Sequence, residues 1–285
     1  MIAVQCDYFG WEFMQDVEQK QLAPMINRYI MRLEPLPDAV ELVLPVPLSE
    51  NLYNFNDMGP VQAMDLLNSL RFVSGLFPGQ FNKHKIVAYG GSHGAYLAYL
   101  CNAFMPQVFT SIIDMSAMTF PVYLLGTGLR RILTYNLTLN GKTNLTLKAY
   151  FDYLAKKILY DRDIYDLKHW YKPSSSFETK VVSFHGAGDI MVPMAEKSQL
   201  LSSLKNAVWV IVDKNKIDNK IFSSDDHGCG ADFLELFDYV FKNYDLTVER
   251  EGCIFENRDF ETEKFMYHIK EQGDMLRLSC EVKEL

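Results

Sequence analysis

Residues 85–94 read Lys-Ile-Val-Ala-Tyr-Gly-Gly-Ser-His-Gly, a short apolar run that ends in a glycine-rich turn. The run predicts a buried strand, and the residues from Gly94 to about Met105 predict a helix that Pro106 stops, because proline cannot continue a helix. The turn places Ser92 between the strand and the helix in the pattern G-x-S-x-G. Small flanking residues let strand and helix approach each other, so the pattern predicts a strained, exposed nucleophile.

The rest of the chain alternates between short apolar runs and amphipathic segments. The further predicted strands are 2–6, 108–115, 180–184 and 207–212. The further predicted helices are 60–73, 194–204 and 231–244. Alternation of this kind is typical of a mostly parallel sheet with helices on its faces, so the sequence predicts the α/β fold class.

Two segments fall outside this alternation. Residues 117–176 form a long insertion rich in Tyr, Leu, Phe and Thr, which we expect to fold as a helical cap. Alternating apolar residues between 265 and 282 flank a break at Gly273, which predicts a β-hairpin. The predicted domains are therefore a core of 1–116 and 177–244, a cap of 117–176 and a C-terminal hairpin extension of 245–285.

A serine nucleophile needs a base, and the base needs an orienting acid. Asp189 follows the predicted strand 180–184, on the rim where open α/β sheets build their sites. His227 lies in a polar loop after the next strand, so the order is Ser, Asp, His. The backbone N–H of His93, directly after the serine, is the expected donor to an oxyanion.

Other acids compete with Asp189 for the third role. Asp213, Asp225 and Asp226 are also near in sequence, but the last two adjoin His227, which makes a facing geometry awkward. Topology favours Asp189. Consecutive residues rarely coordinate one ion well, so the run 225–227 does not predict a metal site, and we expect neither metal nor cofactor. His185 is expected to be structural and to hold the acid loop.

The composition restricts the possible partners. The chain has 285 residues, of which 48% are hydrophobic, so disorder is excluded and a large core is expected. A net charge of −8 disfavours duplex nucleic acid. Without a membrane-length apolar run or a basic stretch after Met1, we expect a cytoplasmic protein that does not bind membranes. The five cysteines are scattered, which predicts reduced thiols. The sequence does not predict the oligomeric state.

These motifs together resemble those of the α/β-hydrolase superfamily, in particular the branch of prolyl oligopeptidases and dienelactone hydrolases. The resemblance rests on G-G-S-x-G at 90–94, H-G-x-x-D-x-x-V-P at 185–193 and H-G at 227–228, and it covers roughly residues 1–244. Residues 7–10 and 56–65 also resemble an uncharacterised hydrolase family encoded near flagellar sugar-modification genes of Campylobacter-like bacteria. That resemblance implies an acylated sugar, or its nucleotide-linked precursor, as the substrate.

One departure from the superfamily concerns the N-terminus. If residues 2–6 match a later strand of the superfamily, the first three strands and the loop with the second oxyanion N–H are absent, and we favour this interpretation. Alternatively, 2–6 is the strand before that loop, Tyr8-Phe9-Gly10 is the loop, and Val40–Val46 is the next strand. Tyr8, Phe9 and Gly91 are predicted to contact the substrate.

Two functions follow from these observations. The first is a serine hydrolase that cleaves a small-molecule or glycan carboxylic ester through Ser92, Asp189 and His227 and an acyl-enzyme. Peptidase and thioesterase activities would use the same machinery. The second is a non-catalytic, truncated hydrolase-like module that acts by binding, because exposed strand edges pair with partners.

Overall fold

The computed structural model describes residues 1–14, 24, 26–29, 38–46, 48–121, 131–139, 142–151, 153–157, 161–172 and 177–284. Contacts divide the chain into two compact units. The main unit contains Met1–Tyr8, Gly59–Pro121 and Asp161–Leu285, and the second unit contains Phe9–Met58 and Val122–Tyr160.

A parallel four-stranded sheet forms the centre of the main unit. In spatial order its strands are β2 (Val87–Gly91), β3 (Ser111–Met115), β6 (Lys180–Gly186) and β7 (Ala207–Val212). The register pairs Gly91 with Met115, Met115 with Phe184, and Gly186 with Val212. The carboxyl ends of the strands therefore meet at one edge, and the loops that follow them are neighbours.

Helices flank this sheet. They are α1 (Pro60–Leu76), α2 (His93–Phe104), α3 (Arg162–Tyr165), α4 (Leu167–Trp170), α5 (Met194–Ser202) and α6 (Phe233–Asn243). Helix α1 starts on Pro60, at a position where the missing N–H costs no hydrogen bond. Helix α6 is capped by Asp232, whose carboxylate accepts the N–H groups of Leu234 and Glu235.

The two faces of the parallel sheet carry different side chains. One face is apolar and packs on Leu236 and Val240 of α6; its buried residues are Ile113, Met115, Val182, Phe184 and Val212. Successive side chains of a strand point to opposite faces, so the alternate positions Asp114, Ser183 and His185 face the other way, and all three are fully buried. The mostly parallel sheet with flanking helices confirms the predicted α/β fold class. No helix in the described part of the chain is long and apolar enough to cross a bilayer.

The tail of the chain adds a three-stranded antiparallel sheet. Its strands are β8 (Arg258–Glu261), β9 (Phe265–Gln272) and β10 (Met275–Val282), and β9 lies between the other two. Strands β9 and β10 pair around Gly273, whose φ of 62° is left-handed, at the position where alternation predicts a hairpin. Arg258 fastens this sheet to α2 by donating to the carbonyls of Ala103 and Phe104, at 2.6 and 3.2 Å.

The second unit contains a sheet of its own. Strand β1 (Ala39–Pro45) pairs in parallel with β5 (Thr143–Phe151), which pairs antiparallel with β4 (Arg131–Leu139). Short 3-10 helices lie at Trp11–Met14 and Leu154–Lys157 in this unit, and at Lys214–Lys216 and His227–Gly230 in the main unit. The Lys148 ammonium pairs with Glu41 at 2.8 Å across the parallel strands.

The expectation of a helical cap at 117–176 is wrong at 131–139 and 143–151, which form the strands β4 and β5. Alternate residues of β5 are buried, namely Thr143, Leu145, Leu147, Ala149 and Phe151. Such a period-two pattern puts the apolar side chains on one face only in a strand. Residues 122–130, 140, 141, 152, 158–160 and 173–176 of the predicted cap lie outside the described residues.

The strand predicted at residues 2–6 is also not formed. These residues pair with no strand among those that the structure describes, and Ile2 and Val4 are 41% and 43% exposed. An apolar run becomes a strand only when its backbone groups find hydrogen-bond partners. The strand that the alternative interpretation expects at Val40–Val46 exists as β1, but its partner is β5 and it does not extend the four-stranded parallel sheet.

Candidate active site

Ser92 occupies the sharp turn between β2 and α2. Its φ of 50° and ψ of −114° are strained for a residue with a side chain. The turn needs glycine at Gly90, because a Cβ there would lie 2.6 Å from the backbone of Gly94 and Ala95. A Cβ on Gly91 would lie 2.6 Å from the ring of Phe233. The sequence thus forces Ser92 into the conformation in which its hydroxyl stands above the sheet edge.

Asp189 lies in the loop that follows β6, with its carboxylate buried. One oxygen, Oδ1, accepts the N–H groups of Met191 and Val192, each at 2.9 Å. The other, Oδ2, faces His227. Burial raises the pKa of the Asp189 carboxyl, but the hydrogen bonds from His227 and from the Val192 N–H outweigh burial, and the net change lowers this pKa. Asp189 is therefore an anion at neutral pH.

His227 connects the acid to the serine. Its Nδ1 lies 2.8 Å from Asp189 Oδ2, and its Nε2 lies 2.7 Å from Ser92 Oγ. Ser92 Oγ and the His227 ring therefore lie within hydrogen-bond distance of each other. A carboxylate only accepts hydrogen bonds, so Nδ1 carries the proton and the lone pair of Nε2 faces the serine hydroxyl. This tautomer can remove the proton of Ser92.

Gly186 lets the histidine loop reach the acid. A Cβ on Gly186 would lie 2.3 Å from the carbonyl oxygens of Asp225 and Asp226, so only glycine allows this close passage. Gly188 donates its N–H to the Asp225 carbonyl at 2.8 Å and fastens the two loops together. The end of β6 therefore fixes both Asp189 and the backbone that precedes His227.

The rival acids do not face the histidine ring at Nδ1. Asp213 caps a short 3-10 helix by accepting the Asn215 N–H at 3.0 Å.

His185 donates Nε2–H to the Val192 carbonyl at 3.0 Å, so it holds the acid loop. Burial, followed by the charge of Lys197, lowers the pKa of His185, and its Nε2 lies 3.8 Å from Asp189 Oδ2. His185 therefore supports the loop as a neutral ring.

His93 starts α2, with its backbone N–H at the helix N-terminus, where partial positive charge accumulates. Burial lowers the pKa of its ring to about 4. The Nε2 of this neutral ring forms a hydrogen bond with Gln62 Oε1 at 2.7 Å.

The Tyr8 ring lies 6.0 Å from the His93 ring, centroid to centroid. Phe9 belongs to the second unit, where its ring packs edge-on against Phe55 at 5.2 Å.

Sequence reasoning missed a buried polar group on the face of the sheet away from α6. The Tyr99 hydroxyl donates to Asp114 Oδ2 at 2.9 Å, and the Lys197 ammonium pairs with the same oxygen. The side chains of Asp114 and Lys197 are fully buried. The signal was available, because Asp114 interrupts the apolar run of β3, and a carboxylate inside such a run needs a buried partner.

The described residues contain no group of three or more His, Cys, Asp or Glu side chains placed to hold a metal ion. A cavity of about 600 Å³ lies elsewhere in the main unit, and Ser92, Asp189 and His227 do not line it. Its wall includes Arg71, which pairs with Glu271 at 2.7 Å.

The parallel sheet, the serine turn after β2, the acid after β6 and the histidine after β7 define an α/β-hydrolase fold. The model of the family described as "Protein of unknown function (DUF2920)" matches residues 8–280. The chain belongs to this family. Comparison with curated proteins finds no match.

Several solved structures are similar to this chain. Esterase 2 of Thermogutta terrifontis, phosphoramylated by tabun, is 14% identical, with 67% of each chain covered and a TM-score of 0.42. Est1E of Butyrivibrio proteoclasticus is 13% identical, with 73% of this chain and 88% of that chain covered and a TM-score of 0.34. The esterase domain of a Rhodothermus marinus protein is 13% identical, with 74% and 89% covered and a TM-score of 0.35.

Proposed function

We propose that this protein is a serine hydrolase that cleaves a carboxylic ester through an acyl-enzyme. The observation that carries the proposal is the chain of two hydrogen bonds from Ser92 Oγ through the His227 ring to Asp189 Oδ2, at 2.7 and 2.8 Å. A serine hydroxyl becomes a nucleophile when a base removes its proton, and the base works when an acid fixes its tautomer.

In the first half of the reaction, Ser92 Oγ attacks the acyl carbon while His227 Nε2 takes the hydroxyl proton. The buried Asp189 anion stabilises the imidazolium that forms. The oxyanion accepts the His93 N–H and lies at the N-terminus of α2. When the intermediate collapses, His227 returns the proton to the leaving alcohol, and the acyl group stays on Ser92.

In the second half, water replaces the alcohol. His227 Nε2 removes a proton from the water as the water oxygen attacks the acyl carbon. Collapse of the second intermediate returns this proton to Ser92 Oγ and releases the carboxylic acid. The same side chains act in reverse order, so a neutral His227 is restored after each cycle.

We also propose that Tyr8 and Gly91 contact the bound ester. The Tyr8 ring packs beside His93, the residue next to the nucleophile, and Gly91 precedes Ser92 directly. An O-acyl sugar is one candidate substrate; it rests on the resemblance of residues 7–10 and 56–65 to a family linked to sugar modification.

The test is turnover of p-nitrophenyl acetate and butyrate, and of an acetylated sugar, by the purified chain. We expect Ser92→Ala to abolish turnover and Asp189→Asn to reduce it about 10⁴-fold, because the amide favours the wrong histidine tautomer. Ser202→Ala is the matched control, since Ser202 is exposed and its hydroxyl donates to the Gln199 carbonyl of its own helix. Turnover that persists in Ser92→Ala would contradict the proposal. A folded chain that turns over no ester would favour the binding module.

A further inference from the structure

The end of β3 lies against both the nucleophile and the base. The Met115 carbonyl accepts the Ser92 N–H at 2.7 Å. The next residue, Ser116, donates its own N–H to the Phe184 carbonyl of β6 at 2.8 Å. Two consecutive residues are thereby fixed to the serine turn on one side and to the neighbouring strand on the other.

The Ser116 hydroxyl reaches the loop that carries His227. The Gly228 N–H donates to Ser116 Oγ at 3.1 Å. Gly228 is the residue that directly follows His227. Ser116 is fully buried, so water cannot readily replace this hydrogen bond when the hydroxyl is removed.

The turn at Ser116 has a strained backbone, and the side chain of Asp114 stabilises it. Its φ of 51° is left-handed, a conformation that persists in a residue with a side chain only when the surroundings impose it. Asp114 Oδ1 accepts the Ala117 N–H at 2.8 Å and so closes the turn. Its other oxygen is held by the Tyr99 hydroxyl and by the buried ammonium of Lys197.

We propose that Ser116 is a positioning residue that sets the distance between Ser92 and His227. The turn of residues 114–117, clamped by the Asp114–Lys197 ion pair, anchors the serine through the Met115 carbonyl and the histidine loop through the Ser116 hydroxyl. This shared anchor explains how two groups 135 residues apart in sequence keep a 2.7 Å separation. The inference rests on the proposed function and deepens it.

The test compares Ser116→Ala with Ser111→Ala. Ser111 is the matched control because it begins β3, the strand that Ser116 directly follows, is fully buried and donates its hydroxyl to the Leu246 carbonyl at 2.7 Å. We expect both variants to lower the melting temperature. Only Ser116→Ala should slow the reaction with a fluorophosphonate probe, by roughly 10- to 100-fold, because a 1 Å misplacement costs about that much.

A second readout does not depend on activity. In protein labelled with ¹⁵N-histidine, the Nδ1–H of His227 should give a downfield proton resonance, because it donates to a carboxylate. Ser116→Ala should broaden or shift this resonance, whereas Ser111→Ala should leave it unchanged. An inert wild-type protein would overturn the proposed function, and the resonance would still decide the role of Ser116.

Ser116→Gly separates the hydroxyl from the strained backbone and is available if the alanine variant does not fold. Glycine adopts the left-handed conformation freely but lacks the hydroxyl. We expect Ser116→Gly to lose probe reactivity as Ser116→Ala does. Wild-type reactivity in the glycine variant, or a His227 resonance unchanged in both variants, would overturn the inference.

Discussion

Replacement of Gly186 by alanine should displace the backbone that leads to His227. The new Cβ would lie 2.3 Å from the carbonyl oxygens of Asp225 and Asp226, whereas real Cβ contacts essentially never fall below 3.0 Å. The loop must therefore retreat by about the difference between these distances, roughly 0.7 Å. Both contacts are backbone atoms, so no side-chain rotation can absorb the displacement.

This displacement should affect stability and reactivity together. Overpacking of this kind lowers the free energy of unfolding by ~1–3 kcal/mol. A shift approaching 1 Å between the base and the nucleophile should slow acyl transfer by roughly 10- to 100-fold. Urea denaturation measures the first effect, and the rate of labelling by a fluorophosphonate probe, per folded molecule, measures the second.

Gly188→Ala is the matched control for Gly186→Ala. Its Cβ would lie 3.2 Å from the same Asp225 oxygen, so a movement of a few tenths of an ångström suffices. Neither glycine has a left-handed φ, so alanine can adopt the backbone conformation at both positions. The two variants differ only in how close the new Cβ lies to the backbone oxygens of the histidine loop. Wild-type labelling in Gly186→Ala, or an equal loss in the two variants, would refute the reasoning.

Three further perturbations have expected outcomes. Lys197→Met should lower the free energy of unfolding by ~3–5 kcal/mol, because it leaves the buried charge of Asp114 without its ion-pair partner. Adding Asp114→Asn should restore most of the lost stability, as measured by urea denaturation. Arg258→Ala should cost ~2 kcal/mol in the same assay, since it removes charged hydrogen bonds to the C-terminal carbonyls of α2. The pKa of the Asp189 carboxyl is lower in the folded chain than its ordinary value of 3.8. The ionised carboxyl therefore stabilises the folded chain fully above that ordinary pKa, and this stabilisation is lost as the pH falls below it. The stability gap between wild type and Asp189→Asn should therefore shrink below about pH 4, as measured by denaturation at pH 7, 5, 4 and 3; a constant gap would contradict this.

The local chemistry of short segments made much of the main unit predictable. Proline at position 106 and the glycines around Ser92 act within a few residues, so the strand, turn and helix could be read from residues 85–105. The proximity of Asp189 and His227 to Ser92 could be predicted because parallel strands bring their carboxyl ends together, which makes distant loops neighbours. The chain order of the three residues then limited the choice.

The sequence-based predictions were wrong where the structure depends on contacts between residues that are far apart in the chain. A strand at residues 2–6 required a pairing partner that apolar character alone could not supply. The strand Thr143–Phe151 shows a period of two, yet a long aromatic insertion between strands favoured a helical interpretation. Ser116 could not be predicted from the sequence, because its role depends on a hydrogen bond to a residue 112 positions away.

The claim that Ser92 is the nucleophile can be tested directly by mass spectrometry of the fluorophosphonate-treated protein. We expect a single adduct, mapped to Ser92 in the proteolysed chain, formed by wild type and by Ser202→Ala. The adduct should be absent from Ser92→Ala and form far more slowly in His227→Gln, since the base activates the hydroxyl. A folded wild-type chain that gains no adduct, or gains it on another residue, would contradict the account.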